Sequence, residues 1–431
     1  MRKIGLTLVA MAVLVSAAVA QWEFDSEFCR VSLPHGVVIT PDNKVWVAAY
    51  GRTDTMRGVA ASVPLIYDLE GNLIQKLRVV TFQGQPDTLW NRARGISLDK
   101  DGHVLYSAFD VIYHINYQTL EAMHKIQPAA GKSVTEAAMD ANGYVYVCNV
   151  AAGNPGYIYD PDFELFSYFA DTVKTLQRSV IVTPDGKDVY VGAIYSGPNG
   201  VLHYHSDDGP EGTYTLVGRY GTIMKGDTVV RNMWGQCLDW DPWGMIWVGT
   251  YWDVGANDFK SWYQLDPKRE FAIVDSLSVP AGNPSVDPVP PEGNKVFSPR
   301  GIAFYQKDNV WYALAADFDG NIIKRFKNPS PYTGLVEVVN STVVRHYGLM
   351  QNYPNPFNPT TTIPFVLAKP AEVELKVYDI MGREVRTLLH ERMGPGEHRV
   401  LFDATGHPSG HYFYRLKVDG KVLTRTMTLA K

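Results

Sequence analysis

Six stretches of the chain share one pattern of apolar and polar positions. Each has a short apolar run, a polar turn, and a second run rich in Val, Tyr and Trp. The paired runs are Gly36–Ile39 with Val45–Val47, Gly95–Leu98 with Val104–Tyr106, Ala137–Met139 with Val145–Val147, Val180–Val182 with Val189–Val191, Gly235–Leu238 with Ile246–Val248, and Gly301–Phe304 with Val310–Tyr312. The turns between the runs are rich in Asp, Asn and Gly, which tolerate the left-handed backbone of tight hairpins. The pattern therefore predicts a repeated β-hairpin.

Further strand-like runs follow the hairpins, such as Leu65–Asp68, Val111–Ile115 and Tyr157–Asp160. Four-stranded units without a helical period between them are typical of β-propeller blades. The sequence predicts an all-β protein with a six-bladed β-propeller over residues 21–330. Gln21–Ser32 precedes the first inner strand and is expected to supply the outer strand of the last blade, which would close the propeller and leave no open sheet edge.

The repeat resembles known propeller groups. A Gly-x-x-x-Asp-x-x-Gly pattern before an aromatic strand is similar to the NHL and SMP-30/gluconolactonase groups, and Val182–Val191 resembles the YVTN repeat. These degenerate motifs indicate the fold rather than the function.

Residues 349–431 have a different pattern. Alternating apolar and polar positions predict strands at Val373–Asp379, Glu384–Leu388, His398–Phe402, His411–Val418 and Val422–Leu429. Period-2 strands with Gly and Asp turns predict a small Ig-like antiparallel β-sandwich over residues 349–431. Residues 331–348 are then a linker.

An ordered series of motifs runs through this tail. It contains Tyr378-Asp379-x-x-Gly382-Arg383, Gly410-x-Tyr412-Phe413-Tyr414, and an opening box made of Asn352, Tyr353, Pro354, Asn355, Pro356, Phe357, Asn358 and Pro359. The tail resembles the type A C-terminal (Por) sorting domain of type IX secretion substrates. The resemblance implies Sec export, passage through an outer-membrane translocon, and the type IX machinery as a partner. An ordinary Ig-like binding module is the alternative interpretation.

The first 20 residues have the pattern of a signal peptide. Arg2 and Lys3 precede an apolar run, Ile4–Val15, and Ala18–Ala20 forms a small-residue cleavage site. An uncleaved N-terminal anchor is the alternative. No other segment approaches the length of a membrane-spanning helix, so no transmembrane segment is expected after cleavage. Together with the tail, this predicts a protein outside a Gram-negative cell or on its outer-membrane surface.

Charge and cysteine content narrow the functional classes. The net charge of −5 among 431 residues provides no basic field for a nucleic acid. Cys29, Cys148 and Cys237 are widely and irregularly spaced, which favours free thiols over a disulfide framework. A disulfide from Cys29 to one of the other two is the alternative.

Long loops are predicted on one face of the propeller, which suggests a binding face. Aligning the repeats places six residues at the channel mouth on that face: His35, Arg94, Thr135 with Glu136 next to it, Arg178, Trp234 and Arg300. In SMP-30-type enzymes comparable positions supply metal ligands, but three arginines would repel a cation. We therefore predict no cofactor and disfavour a divalent metal in the channel. The arginines would either bind an anion such as a carboxylate or acidic sugar, or pair with inner-strand acids.

Other candidate groups are sparser. Trp252 is predicted to be an exposed aromatic platform on the same face. Asp110, Asp253 and Asp317 end second strands and are interpreted as arginine partners rather than acid/base groups. His203 and His205 lie on one strand face, but two histidines without a third ligand do not make a metal site. The chain has no GxSxG, HExxH, P-loop or dinucleotide-binding motif.

The leading hypothesis is a secreted or cell-surface propeller that binds a glycan, polymer or protein on its loop-rich face. One alternative is a secreted hydrolase or lyase acting on an anionic carbohydrate or lactone, with Glu136 or an Asp transferring protons. Another is a structural component of the surface or matrix. The sequence does not decide whether the protein is an enzyme.

Overall fold

The computed structural model describes residues 22–127, 133–195, 199–225, 228–252, 259–286, 291–308, 310–328, 348–352, 354–367, 371–393, 396–418 and 420–430. The described residues form 39 strands and two short 3₁₀ turns, which confirms the all-β prediction. The predicted signal peptide, Asp253 and Tyr353 lie outside the described residues. The chain divides into two compact units: the first contains nearly all strands up to Asn328, and the second contains those after Gly348.

The first strand, β1 (Glu23–Arg30), belongs to the last sheet of the first unit and is described with it below. Sheet I follows it in the chain and is an antiparallel meander. Its loop between the second and third strands contains a small hairpin, β4 (Asp54–Met56) and β5 (Val59–Ala61). The strands of sheet I are β2 (Pro34–Ile39), β3 (Val45–Ala49), β6 (Leu65–Tyr67) and β7 (Leu73–Lys76).

Sheets II and III repeat the same meander order. Sheet II is extended at its outer edge by the hairpin β8 (Val79–Phe82) and β9 (Gln85–Thr88). Its main strands are β10 (Ala93–Leu98), β11 (Val104–Ala108), β12 (Val111–Ile115) and β13 (Glu121–Ile126). Sheet III consists of β14 (Val134–Met139), β15 (Val145–Asn149), β16 (Gly156–Tyr159) and β17 (Leu165–Ala170).

Sheets IV and V continue the series. Sheet IV consists of β18 (Leu176–Val182), β19 (Asp188–Ile194), β20 (Gly200–His205) and β21 (Thr215–Tyr220), with a 3₁₀ turn at Gly209–Glu211. The hairpin β22 (Thr222–Lys225) and β23 (Thr228–Asn232) leads into sheet V. Sheet V consists of β24 (Gly235–Trp240), β25 (Ile246–Thr250), β26 (Trp262–Asp266) and β27 (Ala272–Leu277), with a 3₁₀ turn at Pro267–Arg269.

Sheet VI joins the two ends of the first unit. Two short strands, β28 (Val279–Pro280) and β29 (Lys295–Val296), precede it. Its strand order is β1, β32, β31, β30, so β1 supplies the outer strand as the sequence predicts. The later strands are β30 (Pro299–Lys307), β31 (Val310–Asp317) and β32 (Ile322–Asn328).

The inner strands, which are the first strands of sheets I to VI, contact one another in sequence order. The Ser97 hydroxyl of sheet II donates to the carbonyl oxygen of Ala137 in sheet III at 2.6 Å. The Leu238 amide of sheet V donates to the Ser179 hydroxyl of sheet IV at 2.9 Å. These bonds satisfy polar groups that would otherwise be buried without partners.

Glycines allow the closest approaches between inner strands. A Cβ on Gly301 of sheet VI would lie 2.8 Å from the Cα of Gly36 in sheet I. A Cβ on Gly95 of sheet II would lie 2.8 Å from the Cα of Glu136 in sheet III. Because only glycine lacks the Cβ, it permits this backbone spacing. The last inner strand therefore packs against the first.

The second strands form the core of the first unit. Trp46, Tyr146 and Trp247 are completely buried at matching places in three of these strands, and Tyr106, one position further along, is completely buried in a fourth. Burying an aromatic side chain of this size stabilises a fold by about 1.5–3 kcal/mol. The aromatic residues in the predicted second strands are therefore packing residues.

The three cysteines are free thiols, as the spacing predicted. Cys148 and Cys237 are buried, and burial raises the pKa of the half-buried Cys29 thiol to about 12. A thiol with such a pKa is almost entirely protonated near neutral pH and is a poor nucleophile.

The second unit consists of two sheets around one apolar core, which includes Phe365, Val377 and Leu416. The first sheet contains β33 (Gly348–Leu349), β34 (Thr360–Leu367) and β37 (Gly396–Asp403). The second contains β35 (Ala371–Asp379), β36 (Glu384–Met393), β38 (Gly410–Val418) and β39 (Lys421–Leu429).

The Asn- and Pro-rich box is fixed to this core. The amide of Asn352 donates to the Tyr414 hydroxyl at 2.8 Å, and that hydroxyl donates to the Met350 carbonyl oxygen at 2.7 Å. Phe357 is buried, with 2% of its surface exposed. The box is thus part of the folded second unit.

Candidate functional site

Four of the predicted site residues coincide with irregularities in the inner strands. The pairing register shifts between Pro34 and Gly36, between Ala93 and Gly95, and between Gln177 and Ser179. The skipped residues are His35, Arg94 and Arg178. In sheet III the shift spans Thr135 and Glu136. A β-bulge leaves its extra residue out of the ladder and redirects the side chain, which is why bulges often lie beside active sites.

The hairpin turns identify the equivalent residue in sheet V. In three hairpin turns, the backbone amide of the first residue donates to the carbonyl oxygen of the residue four positions later, at 3.0 Å. These turns run from Thr40 to Lys44, from Asp140 to Tyr144 and from Asp241 to Met245. Counting back five residues from the first residue of each turn gives His35, Thr135 and Gln236. Aligning the repeats by sequence selects Trp234, two residues before Gln236. The reason is that Trp234 precedes Gly235 in the same way that His35 precedes Gly36. The hairpin geometry thus places Gln236 at the site.

Arg300 is the corresponding residue of sheet VI, since it follows Pro299 at the start of β30 as His35 follows Pro34 in β2. Each sheet therefore contributes one polar residue from the same end of its inner strand. We call these residues the inner-strand set: His35, Arg94, Thr135, Arg178, Gln236 and Arg300.

All six members have unused hydrogen-bonding capacity. Each has a buried polar atom without a partner among the described residues: Nδ1 of His35, Nε of Arg94, Oγ1 of Thr135, Nε of Arg178, Oε1 of Gln236 and Nε of Arg300. Buried polar atoms normally have partners, so six such atoms at equivalent positions require an explanation.

The set has a strong positive field. Burial, followed by the charges of Arg300, Arg178 and Arg94, lowers the pKa of His35 well below its ordinary value. Burial and the charges of Arg300 and Arg94 lower the pKa of Arg178 to about 9. The three guanidinium groups therefore lie close enough to repel one another, and His35 is neutral at pH 7.

The predicted acidic partners are engaged elsewhere. Asp317 accepts hydrogen bonds from the backbone amides of Phe297, Ser298 and Gly320 at 3.1, 2.9 and 3.2 Å. Asp110 accepts from the side-chain amide of Asn91 at 3.0 Å. Within the described parts of the chain, neither carboxylate forms an ion pair with an arginine of the set. Burial lowers the pKa of Arg300, and charges that include those of Asp319 and Asp317 oppose this lowering. The interpretation of Asp110 and Asp317 as arginine partners therefore stays a prediction.

Aromatic residues contact the arginines instead. The Arg300 Cζ lies 4.9 Å from the centre of the Phe318 ring. The Arg94 Cζ lies 5.1 Å from that of Tyr50 and 5.7 Å from that of Phe109. Cation–π contacts of this kind orient a guanidinium without neutralising it. Sequence reasoning missed these residues, although each directly follows a second strand.

The two predicted tryptophans have different environments. Trp234 is half-buried beside Tyr195 and Tyr251, with ring centres 4.8 and 6.0 Å away. Trp252 is 1% exposed, and its indole nitrogen donates to the Lys260 carbonyl oxygen at 2.7 Å. Its burial leaves no exposed face for a sugar, contrary to the predicted platform.

Two carboxyl groups belong to the same inner strands. Glu136 accepts a hydrogen bond from the Ser179 hydroxyl, and Asp239 accepts one from the Ile302 amide at 3.0 Å. Burial raises the pKa of Asp239 to about 8. Burial and the neighbouring Asp239 raise the pKa of Glu136 well above its usual range. Both groups are therefore protonated to a large extent near neutral pH.

Comparison with known families identifies the C-terminal region. Residues 351–429 match the family described as the secretion system C-terminal sorting domain, which confirms the prediction for the tail. The protein is thus a substrate of type IX secretion, exported to the cell surface or the extracellular space. Among the described residues, no helix is long and apolar enough to cross a membrane.

No curated protein matches the chain. Similar solved structures include the extracellular domain of a candidate one-component system from B. thetaiotaomicron, with 12% identity and a TM-score of 0.40. That alignment covers 95% of this chain and 58% of the other, so this chain spans less than two thirds of that protein. The major allergen Mala s 1 of Malassezia sympodialis has 9% identity and a TM-score of 0.43, covering 69% and 93% of the two chains.

Proposed function

We propose that this exported protein is a six-bladed β-propeller that binds an anionic ligand, such as a carboxylate-bearing glycan or polymer, through the inner-strand set. The observation that carries the proposal is the unsatisfied buried polar atom on every member of the set. A bound anion would accept hydrogen bonds from Arg94, Arg178 and Arg300. It would also reduce the repulsion among them.

Sheet connectivity supports the propeller. The six sheets follow one another in the chain as meanders, and β1 joins the last of them. The inner strands contact their neighbours in order, with Gly301 of sheet VI against Gly36 of sheet I. Closing the sheets radially is a common way to remove open edges in all-β proteins. The two sheets of the tail, packed on one core, support an Ig-like sandwich.

The chemistry of the set favours a carboxylate over a metal. Arginine presents a planar fork of donors that fits two carboxylate oxygens. None of the six residues has a carboxylate, and hard cations require several oxygen ligands. Tyr50, Phe109 and Phe318 contact Arg94 and Arg300 through their rings and carry no charge that would neutralise these two guanidinium groups.

A hydrolase or lyase acting on an anionic carbohydrate is the second candidate. The raised pKa of Glu136, which follows Thr135 in the same bulge, favours it. A protonated carboxyl beside an anion site has the properties of a general acid. Binding is the leading function because Asp239, the carboxyl that acts on Glu136, is itself largely protonated near neutral pH and is therefore a poor base.

A glycan-array screen with the purified full chain tests the proposal. We expect selective binding to glycans with uronic or sialic acids, and its loss in an Arg94→Ala/Arg300→Ala variant. The matched control, Arg30→Ala/Arg386→Ala, removes two exposed arginines and should bind like the wild type. Equal binding by both double variants, or no preference for acidic glycans, would refute the anion site.

The same ligands separate binding from catalysis. Incubation with each bound glycan, followed by mass spectrometry, would detect cleavage. If the protein is an enzyme, Glu136→Gln should retain binding and lose turnover. An intact glycan with the wild type would assign the site to binding alone.

A further inference from the structure

Sheet IV contains a cluster of three side chains unrelated to the inner-strand set. One carboxylate oxygen of Asp188 lies 2.7 Å from Nε2 of His203 and 2.7 Å from Nδ1 of His205. The three ligand atoms all lie within 4.8 Å of one another. Among the residues that the structure describes, this is the one group of three His, Cys, Asp or Glu side chains with such an arrangement.

The strand register explains this convergence. Asp188 of β19 is directly opposite His205 of β20, and Tyr190 is opposite His203. Residues two apart on a strand share one face, so the two histidines and Asp188 project from the same side of the sheet. The sequence shows two histidines on one face but not the third group, which comes from the neighbouring strand.

Packing restricts the histidine rings. His203 stacks on Tyr190 with ring centres 4.6 Å apart and contacts Phe271 at 5.6 Å. The His203 side chain is 13% exposed, whereas that of His205 is 35% exposed. One ligand is therefore held in place, and the open side of the cluster faces solvent.

We propose that Asp188, His203 and His205 bind a divalent transition-metal ion of the Zn²⁺ class. Two imidazole nitrogens and one carboxylate oxygen are the donors that Zn²⁺ takes in open sites, where solvent or a substrate completes the coordination. Metal–ligand distances of about 2.0–2.2 Å require the paired atoms to separate from 2.7 Å to roughly 3.3 Å. A movement of about half an ångström, shared by three side chains, provides this separation.

The site is separate from the anion site. Asp188 begins β19, whereas Ile194 at the other end of that strand pairs with Leu176 near Arg178. The two sites lie at opposite ends of sheet IV. Loss of metal binding would therefore leave the anion proposal unaffected.

A second histidine cluster supplies a matched control. In sheet II, His114 contacts Asp99 through Nε2 at 2.8 Å and His124 through Nδ1 at 3.2 Å. Because His114 uses both of its nitrogens as a bridge, the three groups do not converge on one point. His124→Gln removes a histidine of similar environment without affecting the proposed site.

The test is Zn²⁺ titration of the full chain, purified without a histidine tag and freed of metal. We expect one equivalent to bind by calorimetry and by elemental analysis after dialysis. His203→Gln and His205→Gln should each weaken affinity by about tenfold or more, and Asp188→Asn should do likewise. His124→Gln should bind like the wild type.

Circular dichroism in the absence of metal verifies the fold of each variant. Co²⁺ provides an independent readout, because its visible absorption reports nitrogen and oxygen coordination in the folded protein. Absence of a stoichiometric site in the wild type would overturn the proposal. So would equal Zn²⁺ affinity in wild type and a folded His203→Gln/His205→Gln variant.

Discussion

The Arg300 guanidinium lies 4.9 Å above the ring of Phe318, while the adjacent Asp317 directs its carboxylate to backbone amides. The buried Arg300 is thus packed against the ring of Phe318. It forms no ion pair with Asp317, the residue that precedes Phe318. Asp317 stabilises the local backbone, and the charge of Arg300 contributes to the positive field of the inner-strand set.

This field should be measurable at His35. In the Arg94→Ala/Arg300→Ala variant, we expect the pKa of His35 to rise, because fewer positive charges oppose formation of the imidazolium. NMR titration of ¹³C-labelled histidine would follow the shift, with His35→Gln identifying the resonance. The Arg30→Ala/Arg386→Ala control should leave it in place. An unchanged pKa in the first variant would show that the arginines do not act on His35.

Asp317 should be important for stability. Asp317→Ala leaves the amides of Phe297, Ser298 and Gly320 without their acceptor, and leaving a buried donor unsatisfied costs about 1–3 kcal/mol. Urea unfolding should show a loss of at least this size. Asp317→Asn retains one acceptor oxygen and should lose less. The exposed Asp101→Ala should change stability by less than about 0.5 kcal/mol. Equal losses for Asp317→Ala and Asp101→Ala would contradict this role.

The Asp239 carboxyl should make folding depend on pH. Its folded pKa of about 8 lies above the unfolded value, so the folded state holds a proton that the unfolded state releases. This contribution to stability is complete below the unfolded pKa and is lost as the pH rises towards 8, by at most about 1.4 kcal/mol per pH unit for one proton.

Urea unfolding of wild type and Asp239→Asn from pH 5 to pH 8.5 measures this effect. The variant should show a flatter decline, because the amide does not titrate and its oxygen can still accept from Ile302. Parallel curves for the two proteins would mean that Asp239 is ionised in the folded state.

The contact between the last and first inner strands should tolerate no extra atom. Gly301→Ala places a methyl group 2.8 Å from the Gly36 Cα and from the Val37 nitrogen, which are backbone atoms. Overpacking of this kind costs about 1–3 kcal/mol.

Gly36→Ala is the comparison, since its nearest neighbour at 2.7 Å is a side-chain atom, Cγ2 of Ile96, and the nearest backbone atom is 3.4 Å away. Thermal unfolding should show a larger decrease in melting temperature for Gly301→Ala. Similar decreases for the two variants would indicate that the backbone at Gly36 can move.

Local patterns were sufficient to predict most of the strands. The alternating runs around Trp46 and Tyr146 and the turn residues between them depend on interactions within a few positions, which the sequence displays directly. The pairing of Gln21–Ser32 with the last sheet was predicted because the last sheet would otherwise have an open edge. A strand-like segment before the first sheet can cover that edge.

The site was predicted less completely because it depends on register. Gly235 resembles Gly36 in sequence, and only the turn from Asp241 to Met245 reveals that Gln236 is the residue equivalent to His35 and Thr135. A signal for the aromatic residues was present, since Tyr50, Phe109 and Phe318 each directly follow a second strand. Asp188 was missed as a third ligand because its partners are on the neighbouring strand.

The place of β1 also has a consequence for how the protein is made. Asp25 pairs with Arg325 at 2.7 Å, across 300 positions of sequence. The amino-terminal strand is synthesised first but has no partner until Ile322–Asn328 emerges. Long-range pairings of this kind slow folding, because loop closure must precede the favourable contacts. The first sheet pairing in the chain order is therefore the last to become possible during synthesis, and the first unit completes its folding only after Ile322–Asn328 has been made.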